Sequence, residues 1–373
     1  MSIAKVAVLN RVEGEFEIKE YPVPEPKSSE LIVKVELCAV CGTDVHMYYG
    51  HLEGMPYPLH MGHEICGTIS KIGSDVKEDL LGRPVKEGDR IVVIPGQACG
   101  SCYYCKIAKS PTRCSNVTAY GFAGDTEETR LTGGYGQFLH LKFPNTCFLK
   151  TDLPAEIAVL TESLSIGMHG LARAGGLPWG STVVVQGTGA VGMGAIIFAK
   201  LGGAIKIIAV GGPRRRLDFA REMGVDVTID IAEVPDREER IKLVKAETLG
   251  GRGADVVVEA AGFPVAIPEG LDYLRDSGKF IELGHFTNAG EVAVNPHYQF
   301  MQKHIELYGV WGSETEYIAK TLLYLEKREL PYEKMVSHRL PLTGLKDAFE
   351  AISKKGWKLG KEEVSKIVID PWL

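Results

Sequence analysis

Cys41-Gly-Thr-Asp44-Val-His46 and the later Gly62-His63-Glu64 place a thiol, two imidazoles and two carboxylates on neighbouring stretches of chain. Thiolate, imidazole and carboxylate are the ligands that zinc, a borderline-soft cation, prefers. A zinc ion that does chemistry keeps about three protein ligands and one open position. Cys41 and His63 supply two. Glu162, in Leu160-Thr-Glu-Ser-Leu-Ser165, offers a carboxylate at the start of a helix leading into the next domain, a boundary where a substrate cleft would lie. Glu64 is a further ligand, or one that exchanges with water, and Asp44 suits the orientation of a ligand imidazole. Cys38 and Cys41 also form a CxxC, which allows a redox pair or another metal pairing. Cys38 closes an apolar strand pattern, however, where a lone Cys reads as a small buried hydrophobe.

A second ligand set is denser. Cys99-Gly-Ser-Cys102-Tyr-Tyr-Cys105 is followed by Cys114. Four thiolates in one loop fit a closed tetrahedral zinc, which leaves no open position and braces the loop. A three-cysteine run can also open an iron–sulfur motif, but the Cys-Pro ending is missing, and an empty or oxidised lobe is the remaining alternative. The eight cysteines suggest metal ligation over a disulfide framework, hence a reducing compartment with the cytoplasm as default.

Gly187-Thr188-Gly189-Ala190-Val191-Gly192 follows an apolar strand, Ser181–Gln186, and opens a helix. That context makes it a dinucleotide motif. Gly187 permits the tight turn, Gly189 the approach of the pyrophosphate, and Gly192 close helix–sheet packing, while the helix N-terminus offers N–H groups to an anion. At the end of the second strand, where an acidic residue would bind the ribose hydroxyls, stands Gly211, followed by Arg214, Arg215 and Arg216. Arg214 and Arg215 can reach a 2′-phosphate placed there and Arg216 points along the helix, which favours NADP over NAD. A solvated basic helix start is the plainer reading, but cations at a helix N-terminus oppose its dipole. A Lewis acid together with a nicotinamide implies hydride transfer at an alcohol or carbonyl carbon.

Two kinds of element must position these groups. Lys5–Leu9, Leu31–Leu37, Gly67–Ile72 and Asp89–Ile94 are short β-type runs separated by Gly and Pro, with Tyr21-Pro-Val-Pro-Glu-Pro26 as an extended connector, and predict a barrel-like β-unit. After Glu162 strands alternate with helices: Ser181–Gln186, Ala190–Lys200, Ile205–Val210, Arg214–Met223, a charged helix around Arg237–Leu249, Asp255–Glu259, Gly278–Leu283 and Glu306–Val310. This alternation predicts a doubly wound parallel sheet with helices on both faces, hence an α/β protein. The region from about 315 ends in a strand, Lys366–Asp370, and is expected to return to the first domain. The expected division is 1–162 with 315–373, including the cysteine lobe at 95–116, and 163–314.

A chain of 373 residues exceeds one ordinary core, so two domains are expected. At 45% hydrophobic and 24% charged, its composition is that of a soluble globular protein. A net charge of −6 lacks the basic footprint of a nucleic-acid binder. No apolar run reaches the roughly 20 residues that span a bilayer, and the N-terminus reads as a strand, without the layout of a signal peptide.

Together these motifs resemble the zinc-dependent medium-chain dehydrogenase/reductase family, in its alcohol and polyol dehydrogenase branch, over essentially the whole chain. The resemblance implies a GroES-like β-barrel catalytic domain and a Rossmann domain. It implies a catalytic zinc on Cys41, His63 and Glu162, and a structural zinc on Cys99, Cys102, Cys105 and Cys114. Thr43 would take the substrate hydroxyl proton and His46 pass it to solvent, with Asp44 and Glu64 tuning the metal. The expected nucleotide-contacting set is Gly187, Gly189, Ala190, Val191, Gly192, Gly211, Arg214, Arg215 and Lys366. A secondary alcohol or polyol, or the matching carbonyl, is the expected substrate, and a homodimer or homotetramer the expected assembly. Two departures stand out: a Glu162 carboxylate where some relatives use Cys, and eight residues between Cys105 and Cys114 where seven is common. A zinc-free quinone or enoyl reductase would lack Cys41, His63 and Glu162. A non-catalytic cofactor binder would be expected to lose Thr43 and His46, and both are present.

Overall fold

The computed structural model describes residues 2–142, 147–327 and 330–373. The chain divides into two compact units, Met1–Glu162 with Glu314–Leu373, and Ser163–Ser313. Among the described residues no helix is long and apolar enough to cross a membrane.

The first unit is built on two sheets. In the larger, the strands run Phe148–Lys150, Arg90–Val93, Glu64–Ile72, Leu31–Ala39, Lys366–Ile369 and Val336–Leu340, and Phe138–Leu141 also pairs with Leu31–Ala39. Leu31–Ala39 has neighbours on both sides, which is why it is apolar almost throughout and buried at most positions. Lys366–Ile369 lies antiparallel to it, with Ile369 opposite Cys38, and parallel to Val336–Leu340. Leu31, Val33, Val35, Ile65, Ile69, Ile91, Leu139 and Ile367 share one core. The smaller sheet runs Phe16–Pro22, Ile3–Leu9, Leu59–Met61 and Phe122–Gly124.

One expectation is corrected in this unit. Tyr21 and Pro22 do not begin a connector; they end the strand Phe16–Pro22, which pairs antiparallel with Ile3–Leu9. It is an edge strand carrying Glu17, Lys19 and Glu20, with only Tyr21 buried, so it lacks the apolar alternation that marks a strand in sequence. A second feature, not assigned from the sequence, is a helix after Cys41, Gly42–Tyr48. Cys41 is its N-cap, and the Asp44 carboxylate reaches back to accept the Cys41 N–H at 3.0 Å.

The second unit holds a six-stranded sheet in the order Val227–Asp230, Lys206–Gly211, Thr182–Gln186, Ala254–Glu259, Leu274–Glu282 and Glu306–Gly309. Every neighbouring pair is parallel. The order reverses at Thr182–Gln186, the strand that carries the glycine motif at its carboxyl end, and such a switch point opens a crevice for a nucleotide. The charged helix is shorter than expected, Arg237–Ala246; the chain is extended at Thr248, and Gly250 and Gly251 at positive φ form the turn that follows.

Candidate active site and metal centres

Cys41 stands at the mouth of its helix, and His63 between the strands Leu59–Met61 and Glu64–Ile72. Their ligand atoms and that of Glu64 lie within 4.8 Å of one another. The cluster is largely inside the unit: Glu64 and Asp44 are fully buried and His63 nearly so. Gly62, at φ 87°, makes the turn that presents His63; a Cβ there would meet Cys38 Sγ and Tyr135 at 2.8 Å. Asp44 divides its carboxylate between the Cys41 N–H and the imidazole, with Oδ1 3.3 Å from His63 Nδ1. Burial works against an imidazolium at His63, but Asp44 and Cys41 outweigh it and raise the group well above its ordinary value.

Glu162, in the helix Thr161–Arg173, does not join that trio within 4.8 Å. Its surroundings are the same nonetheless. Burial pushes its carboxyl up to about 7, with His63 opposing and Glu64 adding to the rise. Lys366 lies here too. Its ammonium is buried and pairs with the Glu64 carboxylate at 2.7 Å. A thiol, an imidazole and a carboxylate converging in a buried pocket, with an outer carboxylate on the imidazole, are a donor set suited to zinc.

Thr43 and His46 occupy the helix Gly42–Tyr48. The Thr43 hydroxyl is buried and 3.6 Å from Cys41 Sγ. His46 Nδ1 is 3.0 Å from Nδ1 of His51, whose backbone N–H donates to the His46 carbonyl. Burial and His51 both lower the His46 imidazole below its ordinary value. His51 was not anticipated; its only sequence signal is a second His five residues on, just past the helix end.

The four lobe cysteines converge within 4.8 Å. Cys102 Sγ is 3.5 Å from Cys105 Sγ and 3.8 Å from Cys114 Sγ. These separations exceed a disulfide bond of about 2.05 Å. They match the edge of a ZnS4 tetrahedron with 2.3 Å bonds, about 3.8 Å. Hydrogen bonds from Ser101 and backbone N–H groups hold the Cys99 thiol down to about 5, and the N–H groups of Cys99 and Asn116 donate to Cys114 Sγ at 3.3 and 3.4 Å. The donors around Cys99 favour a thiolate there, whereas burial with Cys102 and Cys114 pushes the Cys105 thiol up to about 12.

In the second unit Gly187 has φ 86°, and a Cβ on it would strike Ala261 N at 2.7 Å. A Cβ on Gly192 would lie 1.9 Å from the Gly187 carbonyl oxygen. Gly189 caps the helix Ala190–Leu201, and a Cβ there would find only an Arg216 nitrogen, at 3.8 Å. Gly189, Ala190 and Val191 are all partly exposed. The three glycines thus serve turn, approach and packing. Gly211 ends its strand beside Asp230.

The arginines are arranged differently from expectation. Arg214 is exposed and paired with Asp218 at 3.1 Å and Glu233 at 3.2 Å, and Arg215 is also exposed. Arg216, expected to point along the helix, is instead the one turned inward beside Gly189. Successive helix residues are separated by about 100°, so the third of three reaches the sheet side when the first faces solvent. Burial lowers the Arg216 guanidinium to about 9, the state of a cation short of solvation.

Residues 27–151 match the alcohol dehydrogenase GroES-like domain, and residues 190–326 match the zinc-binding dehydrogenase domain. A 5-exo-hydroxycamphor dehydrogenase from Pseudomonas putida is 35% identical over 298 residues, 79% of this chain and 80% of that protein. A sorbitol dehydrogenase from Bacillus subtilis is 30% identical over 93% of this chain and 92% of its own. A solved alcohol dehydrogenase from Thermotoga maritima superposes with a TM-score of 0.91 over 99% of this chain and all of that one, at 30% identity. The matched domains, the length shared with these relatives and the order of the six-stranded sheet converge: the chain belongs to the zinc-binding dehydrogenase family.

Proposed function

We propose that the protein moves a hydride between a nicotinamide dinucleotide and a secondary alcohol or polyol, or the matching carbonyl. The observation that carries this reading is the buried Cys41–His63–Glu64 trio with Asp44 and Lys366 around it. Zinc held there by Cys41, His63 and a carboxylate from Glu64 or Glu162 supplies a Lewis acid that polarises the substrate oxygen. Asp44 sets the His63 ring, and Lys366 balances the Glu64 charge. The Thr43 hydroxyl accepts the substrate proton, and His46 with His51 carries it outward to solvent. The glycine turn and the helix start at Ala190 hold the pyrophosphate, so that the nicotinamide receives the hydride. The hydroxycamphor and sorbitol substrates named for two relatives support a secondary alcohol.

A second zinc ion on Cys99, Cys102, Cys105 and Cys114 braces the lobe. NADP is the favoured cofactor, because Gly211 carries no carboxylate of its own, the nearby Asp230 carboxylate accepts the Ala232 N–H, and Arg215 is exposed on the helix that follows. The assembly we favour is a homodimer or homotetramer in the cytoplasm. The test is Cys41→Ser and His63→Ala, assayed by cofactor reduction over a panel of secondary alcohols and polyols. Turnover falls by more than the roughly 10–100-fold that loss of an outer metal partner costs. NADP binding, followed by fluorescence, survives, since the glycine motif belongs to the other unit. Near wild-type turnover in either variant would overturn the reading.

A further inference from the structure

Glu259 and Glu282 end adjacent parallel strands and stand opposite each other in register. Each is followed by a glycine turn, Glu259-Ala-Ala-Gly262 and Glu282-Leu-Gly284-His285. Each turn ties down one carboxylate oxygen. Glu259 Oε1 accepts the N–H groups of Ala261 and Gly262 at 2.7 and 2.9 Å. Glu282 Oε1 accepts those of Gly284 and His285 at 2.9 and 3.0 Å. The second oxygens, Glu259 Oε2 and Glu282 Oε2, are buried and make no hydrogen bond, and the same holds for His285 Nε2. His285 Nδ1 lies 2.9 Å from Glu282 Oε1 and 3.3 Å from Glu259 Oε2. The approach is possible only because residue 284 is Gly: a Cβ there would fall 2.3 Å from Glu259 Oε2.

We infer that Glu259, Glu282 and His285 form a divalent-cation site in the second unit, suited to zinc and separate from both thiolate-bearing sets. Glu259 is wholly inside the protein, and a second carboxylate pressed against it there is costly unless a cation joins them. One ligand atom from each of the three side chains fits within 4.8 Å of the other two. The 3.3 Å separation of Glu259 Oε2 and His285 Nδ1 is near the edge of a tetrahedron with 2.0–2.1 Å bonds, about 3.4 Å; with Nδ1 on the ion the contact to Glu282 Oε1 is given up, and that oxygen keeps its two backbone N–H groups. Imidazole with two carboxylates selects a zinc-like ion over calcium, which takes six to eight oxygens. The backbone N–H groups on the two Oε1 atoms fix the carboxylates as outer partners do at other metal sites.

The full chain, stripped by chelator and dialysed against zinc alone, is compared with Glu259→Gln and His285→Ala by elemental analysis. Circular dichroism establishes that each variant is folded, and the partly exposed His285 is the safer of the two positions. Each variant holds one zinc ion fewer per chain than the unsubstituted protein. The comparison is independent of the hydride-transfer reading, because Cys41, His63 and the lobe cysteines are intact in every sample. Equal zinc in all three proteins would overturn the inference and leave a carboxyl pair sharing a proton.

Discussion

In the mechanism we propose, His46 carries the proton to solvent, and its chemistry can be examined by pH. Burial and His51 hold its imidazole below the ordinary value, so it remains a neutral base further into acid than a free His. His46→Ala therefore slows oxidation by up to roughly a hundredfold at low pH, with a smaller deficit where hydroxide substitutes. An unchanged pH–rate profile would remove His46 from the path. Cofactor choice is also decided by single residues. A Cβ on Gly211 would meet Gly187 and Thr188 at 3.5 Å, an ordinary contact, so Gly211→Asp fits. With Arg215→Ala it shifts the ratio of kcat/KM values toward NAD by roughly ten- to a hundredfold, the worth of one charge-assisted contact. A tenfold preference for NAD in the unsubstituted protein would sink the reading of the arginines. Spacing alone named Cys41, His63 and the four lobe cysteines as candidate ligands. It could not say that Arg216 turns inward, that His51 stands behind His46, or that Lys366 belongs to Glu64. Each of these depends on a helix phase or on pairing between distant strands.

The edge strand Phe16–Pro22 shows what an element needs when its own apolar content is low. Asp125 clamps it to the strand Leu59–Met61, accepting from Lys19 and Tyr21 at 2.9 and 2.8 Å on one oxygen and from His60 at 3.1 Å on the other. Burial opposes the charge, but these donors lower the Asp125 carboxyl to about 2 from an ordinary 3.8. A depressed carboxylate contributes stability that is present above its unfolded value and lost as pH falls through the folded one. Asp125→Asn is expected to cost roughly 2 kcal/mol at neutral pH, with the deficit closing between about pH 4 and pH 2. Urea melts at several pH values check this, and a pH-independent deficit would exclude the charge. The same strand explains why legibility was uneven. Thr182–Gln186 and Ala254–Glu259 are buried apolar runs between helices, and such runs declare themselves. Phe16–Pro22 is charged, and Gly42–Tyr48 is seven residues without a clear apolar period, so neither was visible until partners were in place.

The whole molecule joins its two ends in one unit. Lys366–Ile369 fills the gap between Leu31–Ala39 and Val336–Leu340, and its first residue supplies the cation beside Glu64. Ser163–Ser313, which is continuous, is expected to fold when expressed alone and to bind NADP, whereas Met1–Glu162 alone is expected to aggregate. Removing residues 364–373 from the full chain should have the same effect on the first unit while leaving the second intact. Limited proteolysis would then give one stable fragment near 163–313, and a resistant first unit would refute the prediction. There is a consequence for synthesis. A ribosome delivers Leu31–Ala39 more than three hundred residues before its neighbour Lys366–Ile369, so that strand edge waits uncovered until the codons for 366–369 have been read. A product that stops at residue 363 keeps its zinc-type donors but cannot close its sheet. Completion of the first unit thus reports that translation has passed Ile369.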